Sequence, residues 1–162
     1  MSEQAPIHDA AELTRYIETR YHDRHRQQLP ALAEISARVE MVHADHPSVP
    51  AGLAEMLTHM LGAMEAHMRK EEMILFPAIR AGGRPGLEHP IAVMRADHDN
   101  HEKEMADIRR LTNGPKLPED ACGSWTRLYA GLDEFMDDLQ AHMDLENNVL
   151  FPQFEPARQA NA

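Results

Sequence analysis

A chain of 162 residues with 43% apolar and 27% charged side chains has the length and balance of one globular domain with a proper core. A net charge of −11 argues against a nucleic-acid groove or an anionic membrane surface as partner. No apolar run reaches the roughly 20 residues that span a bilayer. The opening residues lack the basic and apolar blocks of a signal peptide, and the single cysteine, Cys122, has no partner for an internal disulfide. A cytoplasmic location is the expectation. Two counts stand out: 11 histidines and 11 methionines, beside only 4 Phe, 3 Tyr and 1 Trp. Methionine fills irregular gaps between helices, so the histidines are the more informative surplus.

Four helical segments follow in chain order, separated by proline and glycine. The first covers about 10–42, with Pro30 inside it as an expected kink. Its inward stripe reads Glu18, His22, His25, Leu29, Leu32. The second covers about 51–79, with Pro77 expected to distort its last turns; its stripe is Leu53, Leu57, Met60, Met64, His67, Glu71, Ile74. The third covers about 90–111, with Ile91, Met94, His98, His101, Met105 and Ile108 inward. The fourth covers about 119–151, with Phe135, Leu139, His142, Glu146 and Val149 inward. Strand patterns are absent. The expected fold is all-α, an up-down four-helix bundle over 10–155, with mobile ends at 1–9 and 156–162.

The second and fourth segments share one motif. His67-Met68-x-x-Glu71 leading to Leu75-Phe76-Pro77 repeats as His142-Met143-x-x-Glu146 leading to Leu150-Phe151-Pro152. In an up-down bundle those segments are parallel, so both copies lie at one end. Each places a histidine and a glutamate, four residues apart, on an otherwise apolar seam. An unpaired carboxylate in a dry core is costly, so four polar groups at one level need a shared partner. Imidazole with carboxylate suits iron, manganese or zinc. Closed zinc sites usually take four ligands, often thiolates; six or more candidates without usable cysteines fit two bridged metals better. Periodicity alone does not choose between His22 and His25, or between His98 and His101. The unused member of each pair is expected to hydrogen-bond a ligand from outside or to lie at the rim of the site. His43, His46, His59 and His89 are expected on the surface or in loops, His8 in a mobile terminus, and Cys122 as a small packing residue.

The chain resembles the haemerythrin-like proteins, and within them the di-iron domain of the repair-of-iron-centres type. The likeness is carried by Tyr21-His22-Asp23-Arg24-His25-Arg26, Gln28-Leu29-Pro30, Val42-His43-Ala44-Asp45, Ser48-Val49-Pro50 and both histidine–glutamate motifs. It implies two non-haem iron ions with an oxo or hydroxo bridge, ligands His22, His67, His98 and His142, and bridges Glu71 and Glu146. His25, His101 and Glu102 are then candidates for the surrounding layer. Glu102 stands where oxygen-carrying relatives have a fifth histidine ligand, so nearly symmetric, open irons are expected. The family's N-terminal cysteine-bearing domain is not matched. The function implied is defence against nitrosative or oxidative stress by a monomer that takes nitric oxide or O2 as small ligand. It would bind or reduce nitric oxide, or supply iron to iron–sulfur client proteins. The alternative is reversible O2 binding, storage or sensing without turnover.

Overall fold

The computed structural model describes residues 4–156, so the expected ends at 1–3 and 157–162 lie outside the described residues. Four long helices form the molecule, and no strand occurs among the described residues. Helix α1 (residues 10–42) joins Ala10–Ile17, a π-helical turn Glu18–His22, and Asp23–Val42. Helix α2 (53–80) joins Leu53–Lys70, a π turn Glu71–Leu75, and Phe76–Arg80. Helix α3 is Glu88–Thr112. Helix α4 (123–154) joins Gly123–Leu145, a π turn Glu146–Leu150, and a 3₁₀ turn Phe151–Phe154. Helix α1 packs against α2 and α4, and α3 packs against the same two. The all-α four-helix bundle expected from the sequence is the fold observed.

Local chemistry sets the helix ends. Asp9 caps α1 by accepting from the Glu12 N–H at 3.1 Å. The start of α2 is capped from another helix: the Glu40 carboxylate accepts from the N–H groups of Gly52 (2.6 Å) and Ala54 (3.0 Å). Asn113, in the left-handed region at φ 55°, closes α3. Helix α4 starts a few residues later than expected, because a turn returns the Ala121 N–H to Pro118 and Cys122 takes the capping position. Helix α1 runs on through Pro30, which sits on its solvent face.

The π turns correct two inward positions. Even α-helical steps from Glu71 and Glu146 place Ile74 and Val149 inward. Instead Ile74 is 53% exposed and Leu75 is buried; Val149 is only partly buried and Leu150 is buried. In each motif the Phe N–H after the turn bonds back five residues, to the Glu71 or Glu146 carbonyl. The extra residue advances the stripe by one position. Pro77 and Pro152 come directly after, where a missing N–H falls beside a ladder already widened.

The core is split. One apolar cluster gathers Leu29, Leu57, Met64, Met105, Phe135, Leu139 and neighbours; a second gathers Leu13, Ile17, Leu75, Phe76, Ile91, Met94, Leu150 and Phe151. On every helix a run of buried polar residues separates the two: His22 and His25, His67 and Glu71, His98 and His101, His142 and Glu146. Deleting solvent-exposed Met73 should convert the π turn of α2 to regular helix while leaving both flanking stripes inward. Helical circular dichroism and cooperative melting should persist. Deleting Ala66, also exposed but in regular helix, rotates the rest of α2 by about 100° and should abolish cooperative melting.

Candidate metal centre

Each of the four helices contributes imidazole to the buried layer, and α2 and α4 add the carboxylates. His22, His67, Glu71, His98, His142 and Glu146 are all at most 2% exposed. Atoms of His67, Glu71, His98 and Glu146 lie within 4.8 Å of one another, and so do atoms of His22, Glu71 and His142. The glutamates cross between the two groups. Glu71 Oε1 is 2.9 Å from His67 Nε2 and 3.4 Å from His22 Nε2. Glu146 Oε1 is 2.8 Å from His142 Nε2 and 3.3 Å from His98 Nε2. All six expected ligands are thus brought together, with one histidine from each group against each carboxylate.

The atoms that converge are also the atoms left unpartnered. Nε2 of His22, His67, His98 and His142, and both carboxylate oxygens of Glu71 and Glu146, are buried and make no hydrogen bond of acceptable geometry. A single orphan of this kind costs about 1–3 kcal/mol; eight facing one another identify a place for cations. The donor set is nitrogen and oxygen without sulfur, and it exceeds the four donors of a closed zinc site. These residues fit a pair of metal ions.

The other ring nitrogens are tied down from outside. His22 Nδ1 lies 2.9 Å from Glu72 Oε2, His67 Nδ1 3.0 Å from Asp97 Oδ2, and His98 Nδ1 2.8 Å from Asn147 Oδ1. His142 Nδ1 is 3.1 Å from His25 Nε2, and His25 Nδ1 faces Gln28. An acceptor at Nδ1 puts the proton there and turns the Nε2 lone pair inward. Glu72, Asp97 and Asn147 escaped the sequence reading because they are half-exposed and off the apolar stripe; their one signal is adjacency to Glu71, His98 and Glu146. His25 contacts the layer only through His142 Nδ1. Glu102 does not reach the layer: it is exposed and accepts from Gln140. The inward face of α3 is centred on the side of His98 away from it.

Electrostatics divide the histidines. Burial opposes charge on His22, yet Glu71 and Glu72 lift it to about 9. Burial likewise opposes charge on His67, and Glu71 with Asp97 lifts it to about 10. His98 is raised against burial by Glu146. Burial pushes His142 well down, helped by His22, and burial with His142 pushes His25 to about 3. Burial would raise the Glu146 carboxyl, but Glu71 and His98 draw it to about 2. The carboxylates around the layer thus favour the charged imidazole of His22, His67 and His98, while burial keeps His142 and His25 neutral.

At the opposite end, Cys122 Sγ sits 3.2 Å from His43 Nε2 and caps α4, accepting from the Trp125 N–H. His43 and His46 pack their rings on Trp125, and His46 pairs with Asp120. His59 and His89 are on the surface as expected, and His8 is exposed.

The histidine–glutamate layer within this bundle is that of a known family. The Hemerythrin HHE cation binding domain model matches residues 14–154, and the chain belongs to that family. It is 48% identical over 142 residues to the iron-sulfur cluster repair protein YtfE of Citrobacter koseri, and 47% identical to those of Escherichia coli O1:K1 and Escherichia fergusonii. Each alignment covers 88% of this chain and 64% of the relative, so the chain spans a little under two thirds of the curated relatives' length. No helix among the described residues is long and apolar enough to cross a membrane.

Replacing Glu71 and Glu146 together by leucine removes both buried carboxylates. The metal-free double variant should melt no lower than metal-free wild type, with a gain of up to about 1–4 kcal/mol of the kind seen when buried ionic groups give way to packed apolar ones. Thermal melting of the two metal-free proteins measures it; a double variant that melts clearly lower would show that the carboxylates stabilise the layer.

Proposed function

We propose that this bundle holds two non-haem iron ions joined by an oxo or hydroxo bridge and serves in cytoplasmic defence against nitrosative or oxidative stress. The eight unpartnered buried donor atoms carry the reading. His22 and His142 would hold one iron, His67 and His98 the other, and Glu71 and Glu146 would span them. Each metal would then join two helices, α1 to α4 or α2 to α3, and the glutamates would couple the pairs. When bound, the iron pair supplies an open position at which a diatomic coordinates and can be reduced. The residues of the chain do the rest. Glu72, Asp97, Asn147 and His25 fix the imidazoles with Nε2 inward, and the apolar clusters on either side keep bulk water from the layer.

The named role of the relatives, iron–sulfur cluster repair, supports iron–sulfur proteins as clients that receive iron; nitric oxide as the small ligand is what the resemblance to the repair-of-iron-centres type implies. Reversible O2 carriage is less favoured, because Glu102, at the place of the carriers' fifth histidine, faces solvent. Protein reconstituted anaerobically should bind close to two irons per chain. Its reduced form should consume nitric oxide in stopped-flow experiments. A stable, reversible O2 adduct with no nitric oxide reaction would favour the carrier instead, and tight binding of one metal only would overturn the di-iron reading.

The ligand assignment has its own test. His22→Ala and His98→Ala should each impair one iron site, whereas His25→Ala should keep the metal count and lower affinity about 10–100-fold, as outer hydrogen-bond partners do. Iron content against chelator concentration reads the difference.

A further inference from the structure

Three acids are buried among the described residues: Glu71, Glu146 and Asp138. The first two face the metal layer. Asp138 lies one turn before His142 on α4 and is held by α1 instead. Its Oδ1 accepts from Arg20 Nη2 at 3.2 Å and its Oδ2 from Arg24 Nε at 2.8 Å. Oδ2 also accepts from Gln28 Nε2 at 2.9 Å. A carboxylate paired with two arginines only accepts, so the Gln28 amide turns its Nε2 to Asp138. Its Oε1 is left for His25 Nδ1, 3.3 Å away.

The direction of these hydrogen bonds passes on from ring to ring. The Gln28 oxygen accepts, so His25 carries its proton on Nδ1, and its ring, kept neutral by burial, presents a lone pair at Nε2. That lone pair accepts from His142 Nδ1 at 3.1 Å. His142 is left with a bare Nε2, the atom beside Glu146. The two rings meet edge to edge: their nitrogens touch while their centroids stay 5.2 Å apart and their planes differ by 24°. Tyr21 lies flat on His142, with centroids 5.4 Å and planes 9° apart, and holds that ring in the plane of the contact. His22 and His67 meet a carboxylate directly, which fixes their protons by itself. An imidazole can donate or accept, so His25 alone fixes nothing; the direction comes from Asp138.

We propose that Asp138, acting through Gln28 and His25, is a positioning residue for the metal on the His22/His142 side: by way of α1 it fixes which nitrogen of His142 faces that metal. This rests on the di-metal reading above. It gives a purpose to a buried acid that holds no metal, and it ties one metal position to an ion pair at the edge of the bundle. The His67/His98 side takes its direction from Asp97 and Asn147 instead.

Zinc(II), a diamagnetic probe, loaded into the intact chain tests this without any activity assay. Proton–nitrogen correlation spectra of isotopically labelled wild type should show His25 neutral and protonated at Nδ1. Asp138→Leu and Gln28→Met should each lower the affinity for one of two zinc ions about 10–100-fold in chelator competition, the range for outer hydrogen-bond partners, and leave the other ion unchanged. Asp138→Asn loses the charge but keeps an acceptor oxygen for Gln28. It should melt lower, because its ion pairs are weakened, yet hold the His25 proton on Nδ1 and both zinc ions as wild type does. An affinity loss in Asp138→Asn equal to that in Asp138→Leu overturns the proposal, since charge and not hydrogen-bond direction then carries the effect. Wild type with two zinc ions and His25 protonated at Nε2 also overturns it and leaves the di-metal reading standing. Wild type that binds fewer than two overturns the di-metal reading, and this proposal with it. The wild-type spectrum decides the question even if Asp138→Leu does not fold.

Discussion

Two carboxylates with no solvent access sit at the middle of this bundle, and most of its structure results from accommodating them. Glu71 and Glu146 are fully buried. They lie where a bundle would otherwise place leucine or methionine, so the core divides into two apolar clusters with an ionic layer between. A charge in a dry interior is tolerated when it is paired and its remaining lone pairs are satisfied. Here the partners are imidazoles from all four helices, and even these leave eight donor atoms facing one another without hydrogen bonds. The interior can hold cations at these atoms, and the cross-helix placement of the donors would make each such cation a link between helices.

The wide turns are the backbone's part in this. Three of the four helices carry a π turn at the level of the layer: Glu18–His22 in α1, Glu71–Leu75 in α2 and Glu146–Leu150 in α4. A regular helix presents one stripe. The inserted residue lets a ligand and the apolar residues beyond it share that stripe without a gap, so Leu75–Phe76 and Leu150–Phe151 seal the layer from below. Proline after two of these turns costs little, because the ladder is already out of step there.

A second ring of charge surrounds the layer. Glu72 is shared between His22 and the Arg26 guanidinium, and Asp97 between His67 and Lys70. Each acid thus orients an imidazole from inside while a surface cation balances it from outside. His98 takes a neutral acceptor, Asn147, whose backbone carbonyl in turn accepts from Arg95. The chain's acidity is therefore partly structural and not only a matter of solubility.

The amino-acid sequence by itself determined the class of fold, the four helices and four inward polar residues, His67, Glu71, His142 and Glu146, because apolar periodicity and the doubled histidine–glutamate motif are local signals. It left His22 against His25 and His98 against His101 open, since each pair lies near the same face. Tertiary structure separates the members of each pair: His25 spends its Nε2 on a histidine from another helix, and His98, not His101, gathers with His67, Glu71 and Glu146. It also decided which residue comes after Glu71 and Glu146 into the core, because the π turns at Glu71–Leu75 and Glu146–Leu150 break the even helical spacing from which inward positions are read. Glu72, Asp97, Asn147, the Glu40 cap on α2 and the His43–Cys122 contact were invisible for the same reason. Each joins residues far apart in the chain, and helical spacing carries no information about which helix faces which.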